Sequence, residues 1–145
     1  MRPLPAILVL DATVVISAAL GRTAAVIERA HKLAVLVTTD RAIEEARRRI
    51  ELGLKAPEFL PQLAAIAESV AVVPSEQLAP RLPDAVTVLR DAVASRNGST
   101  RDAHVLALAW ASGGDIWSAD RDFAGTGVAS WSTLNLVRAL AQAEA

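Results

Sequence analysis

Four short runs, apolar throughout instead of alternating, set the frame of this chain: "AILVL" at 6–10, "AVLVT" at 34–38, "VAVV" at 70–73 and "DIWSA" at 115–119. A strand with one wet face alternates apolar and polar side chains, whereas a strand covered on both faces does not. The pattern therefore predicts a parallel sheet held between layers. A fifth run, "GVASW" at 127–131, is a weaker strand. Helical segments fall between them, at 14–20 with 22–33, then 40–53, 57–69, 83–95, 100–112 and 132–143. This alternation implies an α/β fold, a three-layer α/β/α sandwich around a central parallel sheet of four to five strands with right-handed crossovers. Thr39 or Asp40, Ser99 or Thr100, and Ser132 are placed to cap three of the helices. Pro57, Pro61, Pro74, Pro80 and Pro83 punctuate turns and helix starts, and "ASRNGST" at 94–100 is the loop expected to be most mobile.

A length of 145 residues with one continuous composition predicts a single domain over 1–145. A hydrophobic fraction of 52% and a mean hydropathy of +0.34 are high for so small a protein. Apolar surface is then left over for a second copy or another protein. The formal net charge of -1 provides no global basic field, so contact with nucleic acid needs local basic clusters or bound cations. With 0 cysteines there are no disulfides, thiolate metal sites or cysteine nucleophile, which fits a reducing compartment. The stretch "PAILVLDATVVISAAL" has the look of an export signal, but Asp11 at its centre opposes insertion. No uninterrupted apolar run elsewhere approaches the roughly 18 residues of a membrane span. The expected location is the cytoplasm.

Asp11 raises the central question, because a lone buried carboxylate is costly unless something compensates it. It lies at the C-terminal end of the first run; Asp120 and Asp122 follow the fourth in "SADRDF", and Asp102 begins the helix leading into it. Ligands of open α/β sheets bind outside the carboxyl ends of the strands, where strand order reverses. If the first and fourth strands flank that crevice, these acids meet there. Glu44 and Glu45 of "TTDRAIEEARRRI" offer a further acid. Clustered carboxylates repel unless a cation sits among them. Oxygen donors without cysteine suit Mg²⁺ or Mn²⁺, which can activate water for phosphodiester displacement, alone or as a pair about 4 Å apart.

In order, "LVLDATVVISA", "TTDRAIEEARRRI", "STRDAHVLALA" and "IWSADRDFAGTGV" resemble the four acidic motifs of PIN-domain ribonucleases. Their order covers almost the whole chain, and its size is that of the VapC toxins of toxin-antitoxin pairs. The resemblance implies an α/β/α sandwich, a Mg²⁺- or Mn²⁺-dependent endonuclease acting on RNA, commonly a homodimer, and for the toxins a cognate antitoxin that covers the site. Asp11 matches the first acid, Asp102 the third and Asp120 the fourth, with Asp122 as an auxiliary acid. Glu45, followed by the apolar Ala46, fits the second acid better than Glu44, although both remain open. Thr13 stands where family members often carry asparagine or serine; its hydroxyl can still hold a water or a carboxylate. Ser17 and Ser118 are expected to orient the carboxylates.

Each residue also has an ordinary role. Asp102 can favour its helix N-terminus, Asp11 and Asp122 can start turns, and Glu45–Arg49 and Glu44–Arg48 can pair at i to i+4. His104 lies about 200° round an ideal helix from Asp102, so it is expected at the surface or a dimer contact, not as a general base. Trp110 and Trp117 read as core, and Trp131 as core or a weak base-stacking platform. The run "RRR" at 47–49, with Arg41, is either a solvated face or a phosphate track beside Glu45. Two other functions compete. A haloacid-dehalogenase-type phosphotransferase would need a second aspartate at Thr13 and an active-site lysine, and Lys32 and Lys55 are at no strand end; a receiver domain fails for similar reasons. A non-catalytic PIN-like module binding RNA or protein would have no use for a repulsive acidic cluster.

Overall fold

The computed structural model describes residues 2–92, 100–119 and 123–145. Its sheet contains β1 (Ile7–Leu10), β2 (Val35–Thr39), β3 (Ala71–Val73), β4 (Asp115–Trp117) and β5 (Ser130–Trp131) in the order β3-β2-β1-β4-β5. Every neighbouring pair is parallel. From β1 the chain steps outward through β2 and β3, then returns to the other side of β1 for β4 and β5. The order therefore reverses between β1 and β4, and all the strands open their carboxyl ends on one edge.

Seven α-helices are described: α1 (Ala12–Ala19), α2 (Ala24–His31), α3 (Asp40–Arg48), α4 (Leu60–Ser69), α5 (Leu82–Asp91), α6 (Ala103–Ser112) and α7 (Thr133–Glu144). A π-helical turn, Arg49–Gly53, prolongs α3, and 3₁₀ turns occupy Pro57–Phe59 and Ser75–Arg81. Successive strand residues point to opposite faces, and this splits the core in two. Leu8, Leu10, Leu36 and Trp117 pack with Val14, Ile27, Ala46, Leu63 and Leu140 on one face. Val9, Val37 and Ile116 pack with Leu89, Leu106 and Phe123 on the other. The expected three-layer sandwich is thus present. Every residue from Ala103 to Ala109 of α6 is buried, so this helix lacks the polar stripe that marks a surface helix.

The departures have local causes. β3 is an edge strand with Val72 38% exposed, so its unbroken apolarity does not mean cover on both faces. The expected helix at 100–112 starts at Ala103, because residues 101 and 102 form a turn whose first bond runs from the Ala103 N–H to the Thr100 carbonyl. Thr100 does not cap it, since Asp102 holds the N-cap position, and Ser99 lies outside the described residues. The helix expected at 83–95 is described as α5, and the 94–100 loop falls outside the described residues except for Thr100. Thr39 and Ser132 do cap their helices, accepting from the Ala42 and Asn135 N–H groups. Among the described residues no helix is long and apolar enough to cross a membrane.

Candidate active site

The carboxyl edge is wired from strand to strand. The Thr38 hydroxyl on β2 donates to the Leu10 carbonyl at 2.7 Å, and the Asp11 N–H donates to the Trp117 carbonyl on β4 at 3.3 Å. One further step along, the Ser118 N–H donates to the Trp131 carbonyl on β5 at 3.0 Å. The single peptide group that joins Leu10 to Asp11 is therefore held from both sides, its carbonyl by β2 and its N–H by β4, at the point where strand order reverses.

Asp11 is 2% exposed there. Its Oδ1 accepts from the Thr13 hydroxyl at 2.5 Å and from the Val14 N–H at 3.2 Å, and its Oδ2 accepts from the Ser118 hydroxyl. Thr13 is itself held by the Ala119 N–H at 3.0 Å. Part of the answer to how a carboxylate survives in an apolar stretch is thus local: Asp11 caps α1 and lies at the positive end of that helix. The ordinary role and an oriented, buried carboxylate coexist. Ser118 holds Asp11 as expected and Thr13 fills its position with a working hydroxyl. Ser17 makes no hydrogen bond to a carboxylate among the described residues.

Asp102 heads α6 at the N-cap position, half-buried, and its side chain does not cap the helix. Two residues on, His104 is 3% exposed, which corrects its expected surface or dimer-contact position. The ring does turn from Asp102; its Nδ1 meets the Thr39 hydroxyl at 2.6 Å. The same hydroxyl accepts from the Ala42 N–H at 3.0 Å, and which of it and the imidazole donates to the other follows from the ring tautomer. Burial lowers the His104 pKa to about 4; the nearby Arg41 charge adds to this and Asp40 opposes it. The contact ties the first turn of α6 to the end of β2 and the start of α3. Asp40, the first residue of α3, accepts from the Ser75 N–H at 2.9 Å. Partial burial pushes its carboxyl up, but the Ser75 and Arg41 interactions outweigh that and hold it below the ordinary range.

A cleft of about 330 Å³ runs between α3 and the turn before α6, lined by Arg41, Glu44, Glu45, Arg48, Arg101 and His104. Arg41, Glu45 and Arg48 stand at i, i+4 and i+7 on one helix face. Arg101 and His104 bracket Asp102 in sequence, so Glu45 faces the turn that carries Asp102. The two glutamates differ. Glu44 is engaged by Arg47, with Oε1 and Oε2 at 2.7 and 2.9 Å, and by Arg48 at 3.4 Å, and these arginines lower its pKa. Glu45 makes no ion pair with another described residue, and the expected Glu45–Arg49 pair does not form.

Of the five candidate ligands, Asp11, Glu45 and Asp102 are described, and Asp120 and Asp122 lie outside the described residues. Among the described residues no three acids or histidines close into a metal-holding group. Trp131 is 1% exposed, its Nε1 donating to Asp115 and its ring covered by the Arg2 guanidinium at 4.3 Å, so it is a core residue and no stacking platform. Trp117 is fully buried, whereas Trp110 is half-buried against the second core.

A five-stranded parallel sheet with a buried, hydroxyl-held aspartate at its switch point defines an α/β protein whose chemistry belongs at the carboxyl edge of its central strand. The PIN domain family model matches residues 9–141, and the chain belongs to that family. The fold is thus a nuclease fold, of a kind that commonly works with divalent metals. No curated protein matches the chain in sequence.

Proposed function

We propose that this protein is a metal-dependent endoribonuclease that hydrolyses RNA phosphodiester bonds, acting as the toxin of a toxin-antitoxin pair in the cytoplasm. The observation that carries the reading is Asp11: a carboxylate at the β1/β4 switch point, buried and oriented by Thr13, Val14 and Ser118. The donor chemistry suits Mg²⁺ or Mn²⁺, since the candidate ligands are all carboxylates and the chain contains 0 cysteines. Asp11, Glu45, Asp102 and Asp120 would hold the ion, with Asp122 assisting. Once bound, the ion supplies an activated water and a counter-charge for the phosphodiester transition state.

The chain's own residues prepare that chemistry. Thr13 and Ser118 fix the Asp11 carboxylate so that it does not reorganise during the reaction. The His104–Thr39 contact holds the turn bearing Asp102 against the helix bearing Glu45. Glu44 is paired with Arg47 and Arg48, which supports Glu45 as the second acid. Single-stranded or looped RNA fits a recessed carboxylate site, because its backbone can bend inward.

The toxin assignment is supported by the order of the four motifs. A docking surface for an antitoxin or a second copy is supported by the exposed Leu52 and Leu54, beside a cleft lined by Ile16, Leu20 and Arg22. Asp11→Asn and Asp120→Asn should each abolish Mn²⁺-dependent cleavage of RNA while far-UV circular dichroism stays native. Retained cleavage in both would refute the nuclease reading. Growth arrest on expression, relieved by an adjacently encoded small protein, tests the toxin role.

A further inference from the structure

The run of arginines at 47–49 divides between three surroundings. Arg47 is held by Glu44 and Glu51, both at 2.7 Å. Arg49 turns to the cleft beside Ile16, Leu20 and Arg22. Only Arg48 reaches the cleft of Glu45, where Arg41 joins it from the preceding turns and Arg101 from the opposite wall. Arg48 is partly neutralised by Glu44 at 3.4 Å, whereas Arg41 makes no ion pair with another described residue.

From this arrangement we infer that Arg41 and Arg101 form a two-sided phosphate clamp that grips the RNA backbone next to the scissile bond, on the β2 side of the site. The inference rests on the nuclease reading and adds a substrate-binding site to it. Three features carry it. The guanidinium groups face one cleft from separate elements, α3 and the turn before α6, so a strand lying between them would be held from both sides. The same cleft contains Glu45 and borders the turn of Asp102, which places the clamp beside the acids. The chain's net charge of -1 offers no diffuse basic field, so a polyanion must be drawn in by local cations such as these. Glu44 and Glu45 line the same cleft and would repel a phosphate elsewhere along the wall, which sets where the backbone can lie.

The test is binding of a fluorescein-labelled single-stranded RNA, read by anisotropy across a salt titration, for wild-type protein in EDTA and for Asp11→Asn with Mn²⁺. Each lost phosphate contact on single-stranded nucleic acid flattens the slope of log K against log salt by about 0.7. Arg41→Gln and Arg101→Gln should each flatten the slope by that amount and weaken binding roughly fivefold at 0.1 M salt, and the double variant roughly 25-fold. Arg41→Lys should retain the slope. Arg90→Gln, on the exposed end of α5, should change nothing. In cleavage assays of the otherwise native chain the clamp variants should raise KM and leave kcat. If RNA binds and is cut but the slope and affinity of both clamp variants equal those of the parent, the clamp is overturned and the nuclease reading stands. If the parent neither binds nor cuts RNA, both fall.

Discussion

At Asp11, three donors and a helix N-terminus stabilise a carboxylate that the apolar sequence around it would otherwise reject. Ser118→Ala removes a hydroxyl that donates to Asp11 Oδ2, and loss of such a supporting group typically lowers metal affinity or activity about 10- to 100-fold. Calorimetric Mn²⁺ titration and cleavage rates should both register it. Glu45→Gln should reduce cleavage far more than Glu44→Gln, whose carboxylate is already paired with Arg47 and Arg48; equal effects would contradict the assignment of the second acid. His104 contributes a pH signature in metal-free buffer. Its folded pKa, about 4, lies below the unfolded value near 6.5, so the unfolded chain binds the extra proton between them. That contribution to stability is complete above pH 6.5 and is lost as pH falls toward 4, amounting to roughly 3 kcal/mol. Urea unfolding of wild type against His104→Asn should show a difference that shrinks over this window. Asp11 and Ser118 were legible because they interrupt or end apolar runs. The burial of His104 was not, since its partner is Thr39 on another strand and nothing in the local helix geometry names it.

Among the elements, the strand and helix order could be read from the runs and caps, and the boundaries that failed did so where a turn intervenes. The turn at 101–102 delays α6, and the 3₁₀ stretch Ser75–Arg81 lies in a proline-marked region with no periodic pattern. The junction of α6 and β4 makes a sharp mutational contrast. Gly113 ends α6 at φ +72°, and a Cβ on Gly114 would lie 2.8 Å from the Ile7 Cγ2 and 2.9 Å from the Ile7 carbonyl oxygen. Gly114→Ala therefore pushes β1 away from the end of α6 and should destabilise by about 1–3 kcal/mol. Gly53, with open space around it and no positive φ, should accept alanine with a change near zero or a gain of about 0.4–1 kcal/mol. Urea midpoints of the two variants distinguish these cases.

For the molecule as a whole, the two-faced core explains the high hydropathy in part: both sides of the central strands must be covered. The composition did not say which surface is left for a partner, because Val35, Leu134 and the neighbouring Leu52 and Leu54 are exposed on three separate segments and look like core residues in sequence. The net charge was equally silent about RNA; the run at 47–49 with Arg41 hinted at a basic face, and the fold adds that Arg41, Arg48 and Arg101 line one cleft. A divalent ion held by the folded state alone should stabilise it, by about 2.7 kcal/mol at a hundredfold excess over Kd. Thermal unfolding should accordingly shift upward by several degrees with Mn²⁺ for wild type and not for Asp11→Asn. The most direct measurement is the anomalous density of a crystal grown with Mn²⁺. A peak within about 2.1 Å of an Asp11 carboxylate oxygen, shared with other acids at the carboxyl edge of β1 and β4, is the predicted result. An Asp11 carboxylate with no ion beside it, in crystals that bind Mn²⁺ elsewhere or not at all, would contradict the account.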